Sequence, residues 1–277
     1  MIGLARRVLR TPAGAMGSVI VLAVLVAAAF APWIAPYDPD ALSILERFGG
    51  SSPAHWLGTD QLGRDLFSRL LHGATVAMAV ALSAIGLAAV GGTLLGVLAA
   101  SLPGVGERAI LILFDIVAAF PSLVLALAVV AVFGPGNGNL VGIVAVTLMP
   151  QFGRVARAQV LALQSLPFLE AERILGASPL RILFSHLLPN IVGPLIVLAS
   201  MEIPVVITIE AGLSFIGLGV RPPLASWGTL IYDGYSYLSD STLPVLVSSV
   251  VLAIATLGFT LFGEALRDAV DPRGRIR

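Results

Sequence analysis

A series of long apolar segments constrains the fold of this chain more than any other feature of its sequence. A helix needs roughly 20 apolar residues to cross the hydrocarbon core of a bilayer. Only 12% of the residues are charged, against about 25% in soluble domains. The sequence therefore predicts an all-α polytopic membrane protein with six transmembrane helices, near residues 14–34, 74–100, 109–133, 139–163, 189–211 and 243–263.

The distribution of arginine predicts the orientation of these helices. Basic residues in short loops favour the cytoplasmic side of a membrane. With six spans and a cytoplasmic N-terminus, twelve of the sixteen arginines fall on the cytoplasmic side. We therefore expect both termini and the loop 164–188 in the cytoplasm. The first apolar run is longer than that of a cleaved signal peptide, so we expect it to stay as the first span.

Missing residue types exclude several functions. The chain has no cysteine and no lysine, since all sixteen basic residues are arginine. A Walker A phosphate loop needs a lysine, so this chain does not bind ATP in that way. His55, His72 and His186 lie in separate segments without metal-ligand spacing. We expect no catalytic residue, no metal site and no cofactor on this chain, and the lack of a nucleophile motif disfavours an intramembrane hydrolase.

The loop 164–188 carries charged residues, and glycine and proline that interrupt helices, in an otherwise apolar chain. Ser165 and Pro167 are typical of a helix start, Gly176 of a helix end, and Ser178-Pro179 of a second start. The sequence thus predicts two short helices with a sharp bend between them. Two interpretations stay open, a docking element for another protein and packing against the chain's own helix ends. The residues expected on the surface of the pair are Leu169, Ala171, Glu172, Leu175, Leu180, Leu183, Phe184 and Leu187.

Residues 170–189 resemble a cytoplasmic motif of bacterial ABC importer permeases: Glu-Ala-Ala, three residues, Gly, nine residues, Ile, one residue, Leu-Pro. The sequence departs from the motif at Glu172, where the family usually has Ala, and at His186, where it usually has Ile. In that family these helices insert into a cleft on an ATPase subunit and transmit its closure to the membrane helices. The resemblance implies an ATPase-docking role for Leu169, Glu170, Ala171, Glu172, Gly176, Ala177 and Leu180.

Three further stretches are similar to the "C" permease subunit of dipeptide, oligopeptide and nickel importers: HWLGTDQLGRDLFSRLLHGA (55–74), EAGLSFIGLGVRPPLASWG (210–228) and FGEALRDAVDPR (262–273). The resemblance implies the type I ABC importer permease fold, with one N-terminal helix and a core of five. We accordingly divide the chain into residues 1–73, with the first span and an extracytoplasmic segment, and the permease core 74–277.

The same resemblance implies a set of partners and a location. A homologous second permease would supply the other half of the pathway, two ATPase subunits the energy, and an extracytoplasmic binding protein the solute. The solute would be a dipeptide, an oligopeptide or a related compound, and the location the bacterial inner membrane, where lipid surrounds the spans.

Acidic residues within the spans are candidates for the translocation path, because an unpaired charge in lipid costs several kcal/mol. Glu202 lies deepest, beside Pro204, and Asp115 lies near the cytoplasmic end of its span, where it either serves the path or pairs with an arginine. Glu210 is expected to be structural. These acids also suggest a rival class, an ion-coupled secondary transporter or channel with Glu202 or Asp115 as its proton site.

Overall fold

The chain folds into helices joined by short loops, and the computed structural model describes residues 2–102, 104–221 and 223–270. The helices are α1 (Ile2–Val8), α2 (Pro12–Ile34), α3 (Leu66–Ser101), α4 (Val105–Ala119), α5 (Ser122–Phe133), α6 (Asn137–Gln164), α7 (Pro167–Ile174), α8 (Pro179–Ile182), α9 (Leu188–Phe215), α10 (Trp227–Ser236) and α11 (Leu243–Val270), with a 3₁₀ turn at Ile44–Glu46 and a π turn at Leu183–Leu187. The prediction of an all-α membrane protein is confirmed.

In the part of the chain that the structure describes, five continuous helices are long and apolar enough to cross a membrane. They are α2, α3, α6, α11 and the stretch Pro179–Phe215, which joins α8, the π turn and α9 without a break. The chain has a sixth candidate span only when α4 and α5 are counted together.

The third predicted span, residues 109–133, is a bent pair of helices in the structure. Its two parts, α4 and α5, meet at an angle of 89°. Proline lacks the N–H that a helix interior uses, and it drives the residue before it towards an extended conformation. Phe120 has that conformation, at φ −89° and ψ 130°, and Pro121 follows it. The break therefore follows from Pro121.

The α3 and α6 helices form the most extensive contact between helices in the fold. Gly92 and Gly96 make their close approach possible, because a Cβ on Gly92 would overlap the main chain of Met149 and one on Gly96 that of Gly153. Such pairs of small residues four apart let membrane helices pack at short distance. These two glycines therefore allow α3 and α6 to pair closely.

The N-terminal span α2 is fixed against the last helix, α11. The hydroxyl of Thr11 accepts a hydrogen bond from the N–H of Gly14 at 3.1 Å and caps α2. A Cβ on Gly17 would meet the main chain of Phe262, and one on Gly258 would meet the side chain of Ile20. The two helices therefore approach through glycine on both sides.

A cluster of buried charges closes the end of the bundle at which α3 begins. Asp60 lies at its centre, where its Oδ2 accepts a hydrogen bond from Nε of Arg64 at 2.7 Å and lies 3.5 Å from Nε of Arg69. Arg64 also reaches Asp233 of α10, at 3.7 Å. Asp60 and Arg69 are each at most 2% exposed. We call this cluster, with the segment 37–65 and α10 around it, the ionic cap.

Asp65 attaches the ionic cap to α3. Its Oδ2 accepts hydrogen bonds from the backbone N–H and the hydroxyl of Ser68, at 2.8 and 2.7 Å, and so caps the helix. Its Oδ1 lies 2.9 Å from Nδ1 of His55, whose ring lies against that of Tyr37 with 4.8 Å between the centroids. One carboxylate thus holds a helix terminus and a loop together.

Asp233 is the residue through which α10 joins the ionic cap. Burial raises the pKa of its carboxyl, while a hydrogen bond from Gln61 and the positive charges of Arg69 and Arg64 act in the opposite direction.

Candidate functional site

The loop 164–188 lies at the other end of α3 and begins with α7. α7 ends as predicted at Gly176, which has a φ of +82°. The N–H of Gly176 donates to the carbonyl of Arg173, and the N–H of Ala177 donates to that of Glu172, both at 3.0 Å. This pair of bonds is the Schellman motif, in which a left-handed glycine satisfies the last carbonyls of a helix. The predicted bend at Gly176 is confirmed.

The second half of the loop starts at Ser178, whose hydroxyl accepts a hydrogen bond from the N–H of Arg181 at 3.3 Å. The start at Ser178-Pro179 is therefore as predicted. This helix does not stop before the membrane: a π turn at Leu183–Leu187 carries it into α9. Pro189 falls in the first turn of α9, where its missing N–H is tolerated. The loop is thus one short helix followed by the extended beginning of a membrane helix.

One face of the loop packs on the chain itself. Leu169, Ile182 and Leu187 are buried and form a hydrophobic cluster with Val97 of α3 and Val160 of α6. Leu169 is 0% exposed, so the expectation that it lies on the exposed docking surface is wrong. Leu187 is buried for the same reason, and Ala177 and Leu183 pack partly against the cluster. The ends of α3 and α6 occupy this face of the loop, so the interpretation of packing against the chain's own helix ends holds for this face. The docking interpretation stays a prediction for the other face.

The other face of the loop exposes apolar side chains, namely Ile174, Leu175, Leu180 and Phe184. Leu175 is 83% exposed and Leu180 67%. The sequence analysis missed Ile174. The signal for it is helical geometry: once Leu169 points inward, a residue five positions later points roughly 140° away. Glu170 and Ala171 are exposed on α7 beside this apolar surface.

The two positions at which the sequence departs from the permease motif face each other. Nε2 of His186 lies 3.6 Å from Oε1 of Glu172. The ring of His186 also meets the ring of Phe168 edge-on, with 6.0 Å between the centroids. Glu172 and His186 therefore link α7 to the π turn across the bend, and the sequence analysis did not connect them.

The intramembrane acids have different surroundings. Asp115 accepts a hydrogen bond from Nη2 of Arg154 at 2.8 Å, which is the pairing considered above as the alternative to a path role. A second ion pair, between Glu107 and Arg157, also joins α4 to α6. Glu202 is 9% exposed and packs within the bundle. The role of Glu202 and Asp115 in translocation stays a prediction.

Glu210 is fully buried and takes part in a local hydrogen-bond chain. Its Oε1 accepts from the hydroxyl of Ser214 at 2.7 Å, and the same hydroxyl accepts from the N–H of Val220 at 3.1 Å. These two hydrogen bonds fix the turn after α9 to the end of α9 itself. Within residues 2–102, 104–221 and 223–270, no three His, Asp or Glu side chains come close enough to hold a metal ion.

Comparison with known families agrees with this architecture. Residues 92–276 match the family described as "Binding-protein-dependent transport system inner membrane component". Residues 2–50 match the "N-terminal TM domain of oligopeptide transport permease C". The two matches cover most of the predicted permease core, including the loop 164–188, and the first span.

Curated relatives align over nearly the whole chain. The glutathione transport system permease protein GsiD of Pectobacterium atrosepticum is 38% identical over 97% of this chain and 89% of its own. The di/tripeptide transport system permease protein DppC of Pseudomonas aeruginosa is 39% identical over 94% and 88%. The probable D,D-dipeptide transport system permease protein DdpC of Escherichia coli is 36% identical over 95% and 88%.

Solved structures share the fold at low sequence identity. A chain of the MetNI methionine ABC transporter, in inward-facing conformations, matches with a TM-score of 0.59 and 20% identity, over 74% of this chain and 98% of that one. A chain of an amino acid ABC transporter matches with a TM-score of 0.53 and 17% identity, over 72% and 91%. From the family matches, the relatives and the shared fold together, we conclude that this chain belongs to the inner membrane components of binding-protein-dependent transport systems, as a non-catalytic, multi-pass permease subunit of an ABC importer that works with ATPase and binding-protein partners.

Proposed function

We propose that this permease imports peptides, such as dipeptides, oligopeptides or glutathione-like compounds, and that ATPase subunits drive it through the loop 168–187. The relatives above are named for glutathione, di/tripeptide and D,D-dipeptide transport. These three classes share a backbone with an ammonium group, amide bonds and a carboxylate. The proposal for the solute rests on this common chemistry.

The division of the loop into two faces carries the proposal of a docking role. Leu169, Ile182 and Leu187 fix the inner face to the ends of α3 and α6. Leu175 and Leu180 on the outer face lie open to the solvent. A partner that binds the outer face can therefore push on membrane helices through a packed, close-fitting contact. Of the seven predicted docking residues, Glu170, Ala171, Glu172 and Leu180 would meet the ATPase, Gly176 would set the bend, and Leu169 and Ala177 would anchor the loop.

The assembly we propose has four kinds of chain. This permease forms half of the path, a homologous second permease forms the other half, and two ATPase subunits bind the cytoplasmic loops. An extracytoplasmic binding protein delivers the solute to the opposite side. Both termini of this chain would then be cytoplasmic, in agreement with the twelve-to-four distribution of arginine.

An exposed apolar residue of the loop gives the direct test of docking. Leu175→Asp places a charge on the outer face, and Leu45→Asp places the same charge on a fully exposed leucine in the ionic cap. We expect both variants to insert and to retain the second permease. Only Leu175→Asp should lose the ATPase during purification in mild detergent and lose the ATPase activity that the binding protein stimulates in vesicles. Wild-type stimulation in Leu175→Asp would refute the docking role.

Tags give the test of orientation. We expect tags at either terminus, or within residues 164–188, to be protected from protease added to the extracytoplasmic side of right-side-out vesicles. Tags within residues 45–55 should be cleaved. Cleavage within 164–188 under these conditions would overturn the proposed orientation and with it the cytoplasmic docking surface.

Uptake gives the test of the solute and of Glu202. The reconstituted complex should take up a labelled dipeptide in the presence of ATP and the binding protein.

Glu202→Gln keeps the size of the side chain and removes its charge, so we expect a changed rate or solute preference in an assembled complex. Unchanged uptake over a series of peptides would leave Glu202 as a packing residue.

A further inference from the structure

A cavity of about 510 Å³ lies between α9 and α11, with the first residue of α5 beside it. The bend between α4 and α5 brings Ser122 to this position. The walls combine hydroxyl groups and a carboxylate with the apolar side chains of Met201, Pro204, Val205 and Ile209, and most of the lining surface is apolar. The lining includes Ser122, Val205, Thr208, Thr256, Thr260 and Glu264.

The polar wall on α11 follows the period of the helix. Thr256, Thr260 and Glu264 are spaced four residues apart, so they lie along one side of the helix. The neighbouring exposed side of α11 is apolar and includes Val250, Ile254 and Leu257, which suits lipid. A polar row with a carboxylate is unfavourable in the same surroundings. The row is therefore a surface for water or for a polar solute.

The hydrogen bonds of the threonines determine what the cavity can bind. The hydroxyl of Thr208 donates to the carbonyl of Pro204 at 2.8 Å, and that of Thr260 donates to the carbonyl of Thr256 at 2.8 Å. The hydroxyl of Thr256 donates in the same way to Leu252, at 2.9 Å. A hydroxyl has one proton and two lone pairs. With the proton used inside the helix, each threonine offers only acceptor lone pairs to the cavity, as Glu264 does when ionised.

We propose that this cavity is a section of the solute path, and that it holds the ammonium group or the amide N–H groups of the solute. Apart from Ser122, whose hydroxyl can also donate, the polar groups of the wall are acceptors. Acceptors match a cationic, donor-rich group and disfavour an anion. The inference rests on the proposed import of peptides and names the part of the peptide that this wall contacts. Glu202 is not part of the lining, so this path wall is distinct from the acid that the sequence singles out.

The absence of cysteine from the chain permits a test on the assembled complex. Thr260→Cys places a thiol in the polar row, and Leu257→Cys places one on the apolar side of the same helix. The two probes are methanethiosulfonate reagents of similar size, one with an ethylammonium group and one with an ethylsulfonate group. We expect Thr260→Cys to react faster with the cationic reagent by about tenfold, equivalent to a preference of about 1.4 kcal/mol, and Leu257→Cys to react with neither.

Three results of this experiment would overturn the inference. If Thr260→Cys is as unreactive as Leu257→Cys, lipid or the second permease covers the row. If both thiols react equally, the polar side is not a distinct path. If the two reagents react at equal rates with Thr260→Cys, the wall does not select cations. The ratio of rates on one thiol removes differences between the thiols, and dividing it by the ratio that the two reagents show with a small thiol in solution removes their intrinsic difference. Equal and tenfold refer to this normalised ratio.

Uptake of dialanine is the second measurement. Thr260→Val keeps the shape of the side chain and removes its acceptor, so uptake should fall by about tenfold. Thr147→Val is the matched control, because the hydroxyl of Thr147 also donates within its own helix, to Val144 at 2.9 Å, but lies outside the cavity. Equal uptake by the two variants would refute the path role. If the wild-type complex takes up no dialanine, the proposed solute is wrong, while the cysteine comparison still decides the cavity.

Discussion

The ionic cap and the loop 164–188 lie at opposite ends of α3 and solve the same problem in different ways. Each must hold a short irregular segment against the end of a helix bundle. In the cap, Asp60 accepts a hydrogen bond from Arg64 and lies within ion-pair distance of Arg69 in the interior. In the loop, the inner face is apolar, and the outer face leaves Leu175 and Leu180 largely exposed in the part of the chain that the structure describes.

The difference between charged and apolar contacts indicates how far each end can move. Buried charges are strongly directional, and removing one partner leaves the others unpaired, so a cluster of them tolerates little movement. Apolar contacts are not directional, so a segment held by them can shift while it stays packed. We therefore expect the cap to stay fixed at one end of α3, and the loop at the other end to be the part that moves when a partner binds.

The largest expected effect is on the cap. Arg69→Leu removes one cation from a cluster in which Asp60 is 1% exposed. Breaking a buried ion pair from one side costs about 3–5 kcal/mol. The midpoint of thermal unfolding in detergent should therefore fall strongly. Arg47→Leu is the control, because Arg47 is exposed and lies 4.9 Å from the centre of the Phe48 ring, a contact of about 0.5–1 kcal/mol. Similar midpoints for the two variants would show that charge does not hold the cap.

The rigidity of the ionic cap and that of the loop 164–188 can be compared directly at two glycines. Gly63 in the cap and Gly176 in the loop have φ angles of +72° and +82°. Alanine at either position costs about 1–2 kcal/mol in backbone strain. At Gly63 its Cβ would also overlap the carbonyl of Ser43, whereas no atom lies within 4 Å of the corresponding position at Gly176. Overpacking adds about 1–3 kcal/mol.

We therefore expect Gly63→Ala to lower the unfolding midpoint clearly more than Gly176→Ala. In the loop the effect should appear in function instead, because Gly176→Val keeps the strain, adds a branched side chain and misdirects the second helix. ATPase activity stimulated by the binding protein should then fall in vesicles. Equal losses of stability at the two glycines would remove the contrast between a fixed and a movable end.

The carboxyl of Asp233 leads us to expect that the stability of the ionic cap depends on pH. Burial raises the pKa of this carboxyl above its usual value of 3.8, so the folded state holds the proton more tightly than the unfolded state does. The contribution to stability is then fully present below the unfolded pKa and is lost as the pH rises through the folded pKa. In Asp233→Asn the midpoint of thermal unfolding should fall less steeply as the pH rises above the usual pKa of an aspartate. If the midpoint falls as steeply as in the wild type, another group causes the dependence on pH.

The smallest expected effect is on the loop. Glu172→Ala and His186→Ile each remove one partner of the pair across the bend and restore the residue usual in the permease motif. A half-exposed pair of this kind contributes about 0.2–1 kcal/mol. Each single variant should reduce stimulated ATPase activity slightly, and the double variant should recover part of the loss. Simple additivity of the two single effects would show that the pair does not couple the two halves of the loop.

The sequence contains the signals for most of the fold and for part of the site. Apolar length gives the spans, and Gly176 with Ser178 gives the bend, because these signals are local. The inward position of Leu169 depends on the ends of α3 and α6, and the pairing of Glu172 with His186 joins residues fourteen positions apart. The cavity requires Ser122, Thr208 and Thr260 from three helices. Such features depend on tertiary packing, which no local pattern specifies.

The π turn at Leu183–Leu187 has a consequence for the helix that follows it. The N–H of Leu188 bonds to the carbonyl of Leu183, five residues back instead of four. One residue corresponds to about 100° of rotation in an α-helix. If this turn tightened to the α-helical ladder, α9 would revolve about its axis by a comparable angle relative to the loop, and Thr208 would swing out of the cavity wall. Such a change would couple the loop to the proposed solute path.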